Sequence, residues 1–292
     1  MCDQDSFRDM IEHLKRNDAL TRRRFGALSV GAGLMAALPR TADAAEVIER
    51  EVEIKTSDGT ADAHLVHPAK GKAPAVLVWA RILGLRPAFR PMGRRLAESG
   101  YAVLTPNPFY RARRAPTSTP GADFNDEATR NALMALARSL TPETHVSDAQ
   151  AFIGWLDGQA AVDTGRKLGT TGYCMGGPIV MRTAANFPER VGAGASFHGG
   201  GLATDKPDSP HLLAPRMKAH MLIAIAANDD EREPQAKVTL KQAFDAARVP
   251  AEIEVYAGTK HGWCPPDAAV YDEAQAEKAW ARLLATLKAG IA

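Results

Sequence analysis

The chain has 292 residues, a formal net charge of +2 at pH 7 and three cysteines. Hydrophobic side chains make up 45% of it and charged side chains 24%, which is typical of a globular enzyme. The nearly balanced charge gives no basis for binding nucleic acid or an acidic surface. Cys2, Cys174 and Cys264 form no Cys-x-x-Cys pair, so neither a disulfide framework nor a zinc or dithiol site is expected.

The first segment has the three parts of an export signal. Basic residues 22–24 and Phe25 are followed by a run of small and apolar residues at 26–38 and by Ala42-Asp43-Ala44. The paired arginines resemble a twin-arginine signal, and the apolar run is shorter than the roughly 20 residues of a membrane helix. We therefore expect a signal peptide at 1–44, cleavage after Ala44, and a periplasmic domain at 45–292 that meets the membrane only through the export machinery. A chance arginine cluster on an amphipathic N-terminal helix is the alternative.

After the signal, two strands form a predicted hairpin. Val47–Thr56 alternates apolar and charged residues, Ser57-Asp58-Gly59 indicates a tight turn, and residues 60–67 return as the partner strand. The next predicted elements are an apolar strand at 73–80, a helix carrying Phe89, Met92 and Leu96, and an apolar strand at 101–105. Continuous apolar runs are typical of strands that are covered on both faces.

The rest of the chain alternates helices with buried strands. Residues 106–120, rich in proline and arginine, are expected to form a long loop. The elements predicted next are helices at 126–140 and 142–158, a strand at 167–171, a helix at 179–187 and strands at 192–197 and 221–227. A helix at 233–248, a strand at 251–256 and a closing helix with Tyr271, Trp280, Leu283, Leu284 and Leu287 facing the core complete the prediction. This alternation predicts a single α/β domain with a doubly wound, mostly parallel sheet behind an N-terminal hairpin.

Residues 172–177 (Gly-Tyr-Cys-Met-Gly-Gly) join a predicted strand to a predicted helix. A strand that turns into a helix within a few residues strains its middle residue and needs small neighbours on both sides. Cys174 would then stand at the C-terminal edge of the sheet and at a helix N-terminus, where the dipole favours a thiolate. We interpret the stretch as a nucleophile elbow with cysteine as nucleophile. An inert, buried cysteine beside a glycine-rich turn is the alternative.

Reactive side chains follow three of the predicted strands, namely Cys174, Asp229 and His261. Function in open α/β sheets sits outside the C-terminal strand ends, and nucleophile, acid, histidine is the chain order of an α/β-hydrolase triad. The imidazole would take the thiol proton, and the carboxylate would hold the imidazole in the required tautomer. Asp230 is the rival of Asp229, which we favour because it comes first after the strand.

Several further residues are candidates for a role at this site. An oxyanion hole needs two backbone N–H groups, and Met175, after the nucleophile, and Ile82, past the third strand, are placed to supply them. His198 follows another strand and is interpreted as a structural hydrogen-bonding residue, with pocket lining as the alternative. The candidate substrate contacts are Phe109, Tyr110 and Trp263.

The Gly-x-Cys-x-Gly-Gly elbow, the His-Gly after the last strand and the Arg-x-Ala-Pro loop together resemble the dienelactone hydrolase (carboxymethylenebutenolidase) family. The resemblance spans roughly residues 47–290. It implies a single α/β-hydrolase domain with a cysteine triad, acting on small lactones or esters that carry a carboxylate. Carried over to this chain, the triad falls on Cys174, Asp229 and His261, and a substrate-carboxylate arginine falls on Arg113.

Two positions depart from that family. The family places a glutamate just before the oxyanion-hole residue, where it takes part in switching the thiol on, and this chain has Arg81 there. A second carboxylate-binding arginine after the histidine is also missing, because Pro265 and Pro266 occupy that stretch. Arg81 would favour the thiolate by its charge and could contact substrate. A solvated loop arginine is the alternative.

Taken together, these residues predict a hydrolase that cleaves carboxylic esters or lactones through a thioester acyl-enzyme. The alternatives are acyl transfer to another acceptor, a catalytically silent binding protein of the same fold, and a thiol peroxidase or redox sensor built on Cys174. The histidine spacing and the glycine pattern match no metal or nucleotide motif, so no cofactor is expected. The sequence leaves the oligomeric state open.

Replacing Arg22 and Arg23 by lysine should trap the precursor in the cytoplasm, because the export receptor reads this pair as an address rather than as charge. Fractionation followed by immunoblotting would measure the effect, and mass spectrometry of the exported protein should find Ala45 at its N-terminus. If the lysine variant is exported as efficiently as the unchanged chain, the general secretory route is the correct one.

Overall fold

The computed structural model describes residues 44–118 and 126–291, together with Leu38. The predicted signal peptide therefore lies outside the described residues, apart from Leu38 and Ala44. The strands are β1 Val47–Thr56, β2 Gly59–Pro68, β3 Ala75–Trp79, β4 Ala102–Pro106, β5 Leu168–Tyr173, β6 Val191–Phe197, β7 His220–Ala226 and β8 Ala251–Tyr256. The helices are α1 Phe89–Glu98, α2 Glu127–Arg138, α3 Pro142–Asp157, α4 Gly176–Asn186, α5 Ala227–Arg232, α6 Pro234–Ala247 and α7 Glu273–Ile291, with a 3-10 helix at Pro210–Arg216.

The strands form one sheet in the order β1-β2-β4-β3-β5-β6-β7-β8. The pairs β1–β2 and β2–β4 are antiparallel, and all other neighbouring pairs are parallel. The C-terminal ends of β3, β5, β6, β7 and β8 therefore meet at one edge of the sheet. This topology is the single-domain α/β-hydrolase fold that the sequence predicts, including the N-terminal hairpin.

Helices cover both faces of the sheet. Apolar residues of α3, α4 and α6 form one buried cluster, and those of α1 and α7 form another on the opposite face. The central strands β3, β5 and β6 are buried along their whole length because each faces both clusters, and for β3 the continuous apolar sequence predicts this. Among the described helices, none combines the length and apolar character that crossing a membrane requires.

Two short helices escape the sequence prediction. The strand predicted to run to Ala227 ends at Ala226, and the helix α5 begins directly after it. With six residues, α5 is too short to show a helical period, so its sequence reads as a loop. The 3-10 helix contains Pro210 and Pro215, and prolines in a sequence indicate a loop rather than a helix. Tyr271, predicted on the closing helix, precedes α7 instead.

Glycines let the start of α4 touch two strands. A Cβ atom placed on Gly176 would lie 2.6 Å from the backbone carbonyl oxygen of Trp79 at the end of β3. A Cβ atom on Gly172 would overlap the carbonyl group of Gly176. Backbone atoms cannot yield as a flexible side chain can, so this contact requires glycine at both positions.

We expect Gly176→Ala to lower the free energy of unfolding by about 1–3 kcal/mol, the usual cost of overpacking. Gly154→Ala is the control, since Gly154 lies within α3 and has nothing within 4 Å of an added Cβ. That change should raise the free energy of unfolding by about 0.5–1 kcal/mol, because alanine favours helix. Urea unfolding curves measure both, and equal midpoints for the two variants would contradict the packing argument.

Candidate active site

Cys174 occupies the turn between β5 and α4 with a φ angle of 56°, a left-handed conformation that is uncommon for residues other than glycine. Two hydrogen bonds hold it there. Its N–H donates to the carbonyl of Phe197 at 3.0 Å, and its own carbonyl accepts from the N–H of Gly177 at 3.0 Å. The thiol consequently stands at the N-terminus of α4, where the sequence places it.

The thiol is more covered than the sequence predicts. Cys174 is 2% exposed, although an elbow residue at the edge of a sheet is expected to project outward. Side chains from α2 and from the loops after β3, β4 and β8 pack with Cys174 in one buried cluster. The apolar cover, as we name this group, consists of Ile82, Phe109, Leu133, Leu136 and Val270.

His261 and Asp229 are held together at the ends of β8 and β7. Nδ1 of His261 and Oδ2 of Asp229 are 2.8 Å apart, and the backbone N–H of His261 donates to Oδ1 of Asn228 at 2.8 Å. The second oxygen of Asp229 accepts from Nη2 of Arg232 at 2.9 Å. Asp230, the rival carboxylate, accepts instead from Nζ of Lys237 at 2.6 Å. The structure thus brings Asp229 to the imidazole.

Electrostatics favours a charged His261. Burial alone would lower the pKa of this ring, but the negative charges of Cys174 and Asp229 outweigh burial and raise the pKa to about 10. The ring nitrogen away from Asp229, Nε2, is buried, and a hydrogen bond with the side chain of Cys174 contributes to the raised pKa. A histidine that keeps its proton at neutral pH beside a thiol favours a thiolate–imidazolium pair.

A second histidine touches the first. The ring of His198 lies 4.9 Å from that of His261 and 5.2 Å from that of Trp263, centroid to centroid, and both contacts are edge to face. Burial, together with the charges of His261 and Arg81, holds the pKa of His198 well below its usual value. His198 is therefore neutral. Trp263, predicted to contact substrate, is fully buried, and its ring packs edge to face against the ring of His198.

The two N–H groups predicted for the oxyanion hole lie at the same sheet edge. Ile82 and Met175 pack in one cluster with Cys174, since Gly176 brings the start of α4 against the end of β3. Within the described ranges, neither N–H donates to a backbone carbonyl. The oxyanion-hole role of both groups stays a prediction.

Arg81 is buried, with 6% exposure, so the solvated alternative does not hold. A Cβ atom on Gly262, next to His261, would lie 3.5 Å from Nη1 of Arg81. The pKa of Asp267 is lowered, because the charges of Arg86 and then Arg81 outweigh its burial. Nε of Arg86 donates to Oδ2 of Asp267 at 2.5 Å. The Arg86–Asp267 pair therefore connects the loop after β3 with the loop after His261.

The structure does not bring Tyr110 to the thiol. Its hydroxyl donates to Oδ1 of Asp148 at 2.8 Å and lies 2.8 Å from Oγ1 of Thr56, so it anchors its loop to β1 and α3. Arg113 is exposed on the same loop, and its carbonyl accepts from Nδ2 of Asn107 at 2.8 Å. A substrate-carboxylate role for Arg113 stays a prediction.

Sequence reasoning missed Asn228, Arg232 and the Arg86–Asp267 pair. Asn228 and Arg232 flank Asp229 on α5, and Arg232 follows Asp229 by three residues, the spacing at which side chains meet on a helix. That signal exists in the sequence but has meaning only once α5 is known to be helical. The Arg86–Asp267 pair joins residues that are 181 positions apart, and no local pattern announces it.

Comparison with known proteins agrees with this architecture. A protein of Methylorubrum extorquens, named as a candidate carboxymethylenebutenolidase, is 30% identical over 286 residues, which cover 94% of each chain. A carboxymethylenebutenolidase of a Pseudomonas species is 28% identical over 190 residues, covering 64% of this chain and 74% of the relative. The crystal structure of a candidate dienelactone hydrolase from Klebsiella pneumoniae superposes with a TM-score of 0.71 at 25% identity, covering 83% of this chain and 99% of that one.

The family model that matches is that of the dienelactone hydrolase family, over residues 61–290. This match takes in the whole sheet except β1 and the first two residues of β2, and it includes the elbow and the strand ends that carry Asp229 and His261. Together with a relative 30% identical across nearly the full length, it shows that the chain is a hydrolase of the dienelactone hydrolase family.

Proposed function

We propose that the chain hydrolyses carboxylic esters or lactones with Cys174 as nucleophile, His261 as general base and acid, and Asp229 as the group that orients the imidazole. The observation that carries this proposal is the ring of His261, fixed by Asp229 through Nδ1 at 2.8 Å while Nε2 is left for the thiol. A base held by a third group beside a nucleophile is the arrangement that activates a weak nucleophile.

The first half of the reaction forms a thioester. His261 holds the thiol proton, and the thiolate of Cys174 attacks the carbonyl carbon while the carbonyl electron pair moves to oxygen. The N–H groups of Ile82 and Met175 then stabilise that oxyanion. The intermediate collapses, the bond to the alkoxide breaks, and His261 gives its proton to the departing oxygen.

The second half releases the acid. Neutral His261 now takes a proton from water, and the resulting hydroxide attacks the thioester carbonyl. Collapse of this second intermediate expels the Cys174 thiolate and restores the thiolate–imidazolium pair. In a lactone the leaving oxygen stays attached to the acyl chain, so one hydroxy acid is the product. The relatives named carboxymethylenebutenolidase support lactones as substrates of this chain.

Iodoacetamide should inactivate the enzyme in proportion to the labelling of Cys174, at nearly the same rate at about pH 6 as at about pH 8. The reason is that a thiol whose proton already resides on His261 is a thiolate throughout this range, since the pKa of His261 is raised to about 10. Labelling is followed by mass spectrometry and activity with an activated aryl ester.

Cys174→Ala is the control, and it should fold normally while losing at least about three orders of magnitude in turnover. A folded alanine variant with the wild-type rate would exclude Cys174 as nucleophile. A labelling rate that rises steeply from about pH 6 to about pH 8 would instead argue for a resting thiol.

Asp229→Asn should lower kcat on the order of 10⁴-fold, because the amide can hold the imidazole in the wrong tautomer. Asp230→Asn is the matched control: both carboxylates are 18% exposed and both pair with a cation, but only Asp229 meets His261. Steady-state kinetics on one aryl ester measures both. Comparable losses in the two variants would mean that the change disturbs α5 rather than the imidazole.

A further inference from the structure

Apolar side chains from α2 and from three loops pack with Cys174 in one buried cluster. With the thiol 2% exposed, no acyl group can reach it unless part of this cover moves or is replaced by the substrate. An acyl group that enters the site must pack against the side chains of this cover. They are Ile82, Phe109 and Val270 from the loops and Leu133 and Leu136 from α2.

Helix α2 contributes to the apolar cover with its whole buried face. Leu133 and Leu136 are its two buried residues, and both belong to the cluster around Cys174. Met134 and Ala137 are partly buried against the same cluster, whereas Ala135 between them is exposed. The apolar stripe of α2 therefore packs into the buried cluster that contains Cys174.

Two of the charged groups near the site pair with each other, and a third, Arg81, is buried beside His261. Arg86 and Asp267 pair with each other, and the charge of Arg81 acts on Asp267 and His198. Arg113, one turn after Phe109, has an exposed side chain. A carboxylate on an acyl chain lying under α2 would lose its hydration against leucine and phenylalanine side chains, which is costly without a partner.

We propose that α2 is the specificity-determining element of this site and that the acyl group it covers is neutral and apolar. This inference rests on the function proposed above and names its substrate class: esters with a hydrophobic acyl chain rather than acids that carry a second carboxylate near the scissile bond. Each additional methylene buried under the cover should raise kcat/KM about threefold to fourfold until the cover is filled.

The test compares two substrates of equal length and identical leaving group, the 4-nitrophenyl ester of hexanoic acid and the mono-4-nitrophenyl ester of adipic acid. They differ only at the end of the acyl chain, where adipate carries a carboxylate in place of a methyl group. We expect wild type to prefer hexanoate in kcat/KM by at least about tenfold. The acetate ester reports turnover of a substrate too short to use the cover.

The variant to compare is Leu133→Asn/Leu136→Asn, which keeps side chains of similar shape but makes the face of α2 polar. Its hexanoate-to-adipate ratio should fall about tenfold or more. Ala135→Asn introduces the same residue on the exposed face of the same helix and should leave the ratio unchanged. Because the ratio is taken within one enzyme, the fraction of folded protein cancels from it.

The outcomes separate this inference from the function on which it rests. A wild-type enzyme that hydrolyses acetate but prefers adipate to hexanoate overturns the apolar acyl class and leaves the hydrolase mechanism standing. An unchanged ratio in the leucine variant overturns the role of α2. No turnover of any of the three esters would count against the proposed function itself.

Discussion

Contact between the start of α4 and the ends of β3 and β5 decides where the thiol stands. Gly172 and Gly176 allow backbone to meet backbone at this point, and the chain can turn from strand to helix only if Cys174 adopts a left-handed conformation. That conformation is strained for a residue with a side chain, and the surrounding hydrogen bonds and packing hold it in place. The same contact brings the N–H groups of Ile82 and Met175 to one edge.

Charge is distributed unevenly between the two histidines that touch at this edge. Cys174 and Asp229 raise the pKa of His261 and favour its charged form, whereas burial and the charges of His261 and Arg81 lower the pKa of His198 and favour its neutral form. Two charged rings 4.9 Å apart in a buried site would repel each other strongly. The burial of His198 thus protects the protonated state of His261, since it prevents a second positive charge from forming beside it.

Much of this arrangement could be read from the sequence, because it depends on local patterns. The apolar strands and the elbow glycines are each visible within a few residues, and the order of Cys174, Asp229 and His261 follows from the predicted strands that each residue comes after. The cover over the thiol was not visible, since Leu133 and Leu136 reach it from a helix that has an ordinary amphipathic pattern. The burial of Arg81 was not visible in the sequence either, because it depends on the packing of distant loops around this side chain.

In the proposed mechanism, the apolar cover and the thiolate–imidazolium pair depend on each other. Removing charged groups from water is costly, and the pair is tolerated under the cover because Asp229 and its partner Arg232 complete it with further hydrogen bonds. In return, the exclusion of water strengthens the attraction between His261 and Cys174 and keeps the nucleophile from being solvated. A substrate whose acyl group is apolar preserves this exclusion when it replaces the cover. A substrate with a polar acyl group carries water into the site. That water weakens the attraction between Cys174 and His261, on which the cleavage of the substrate depends.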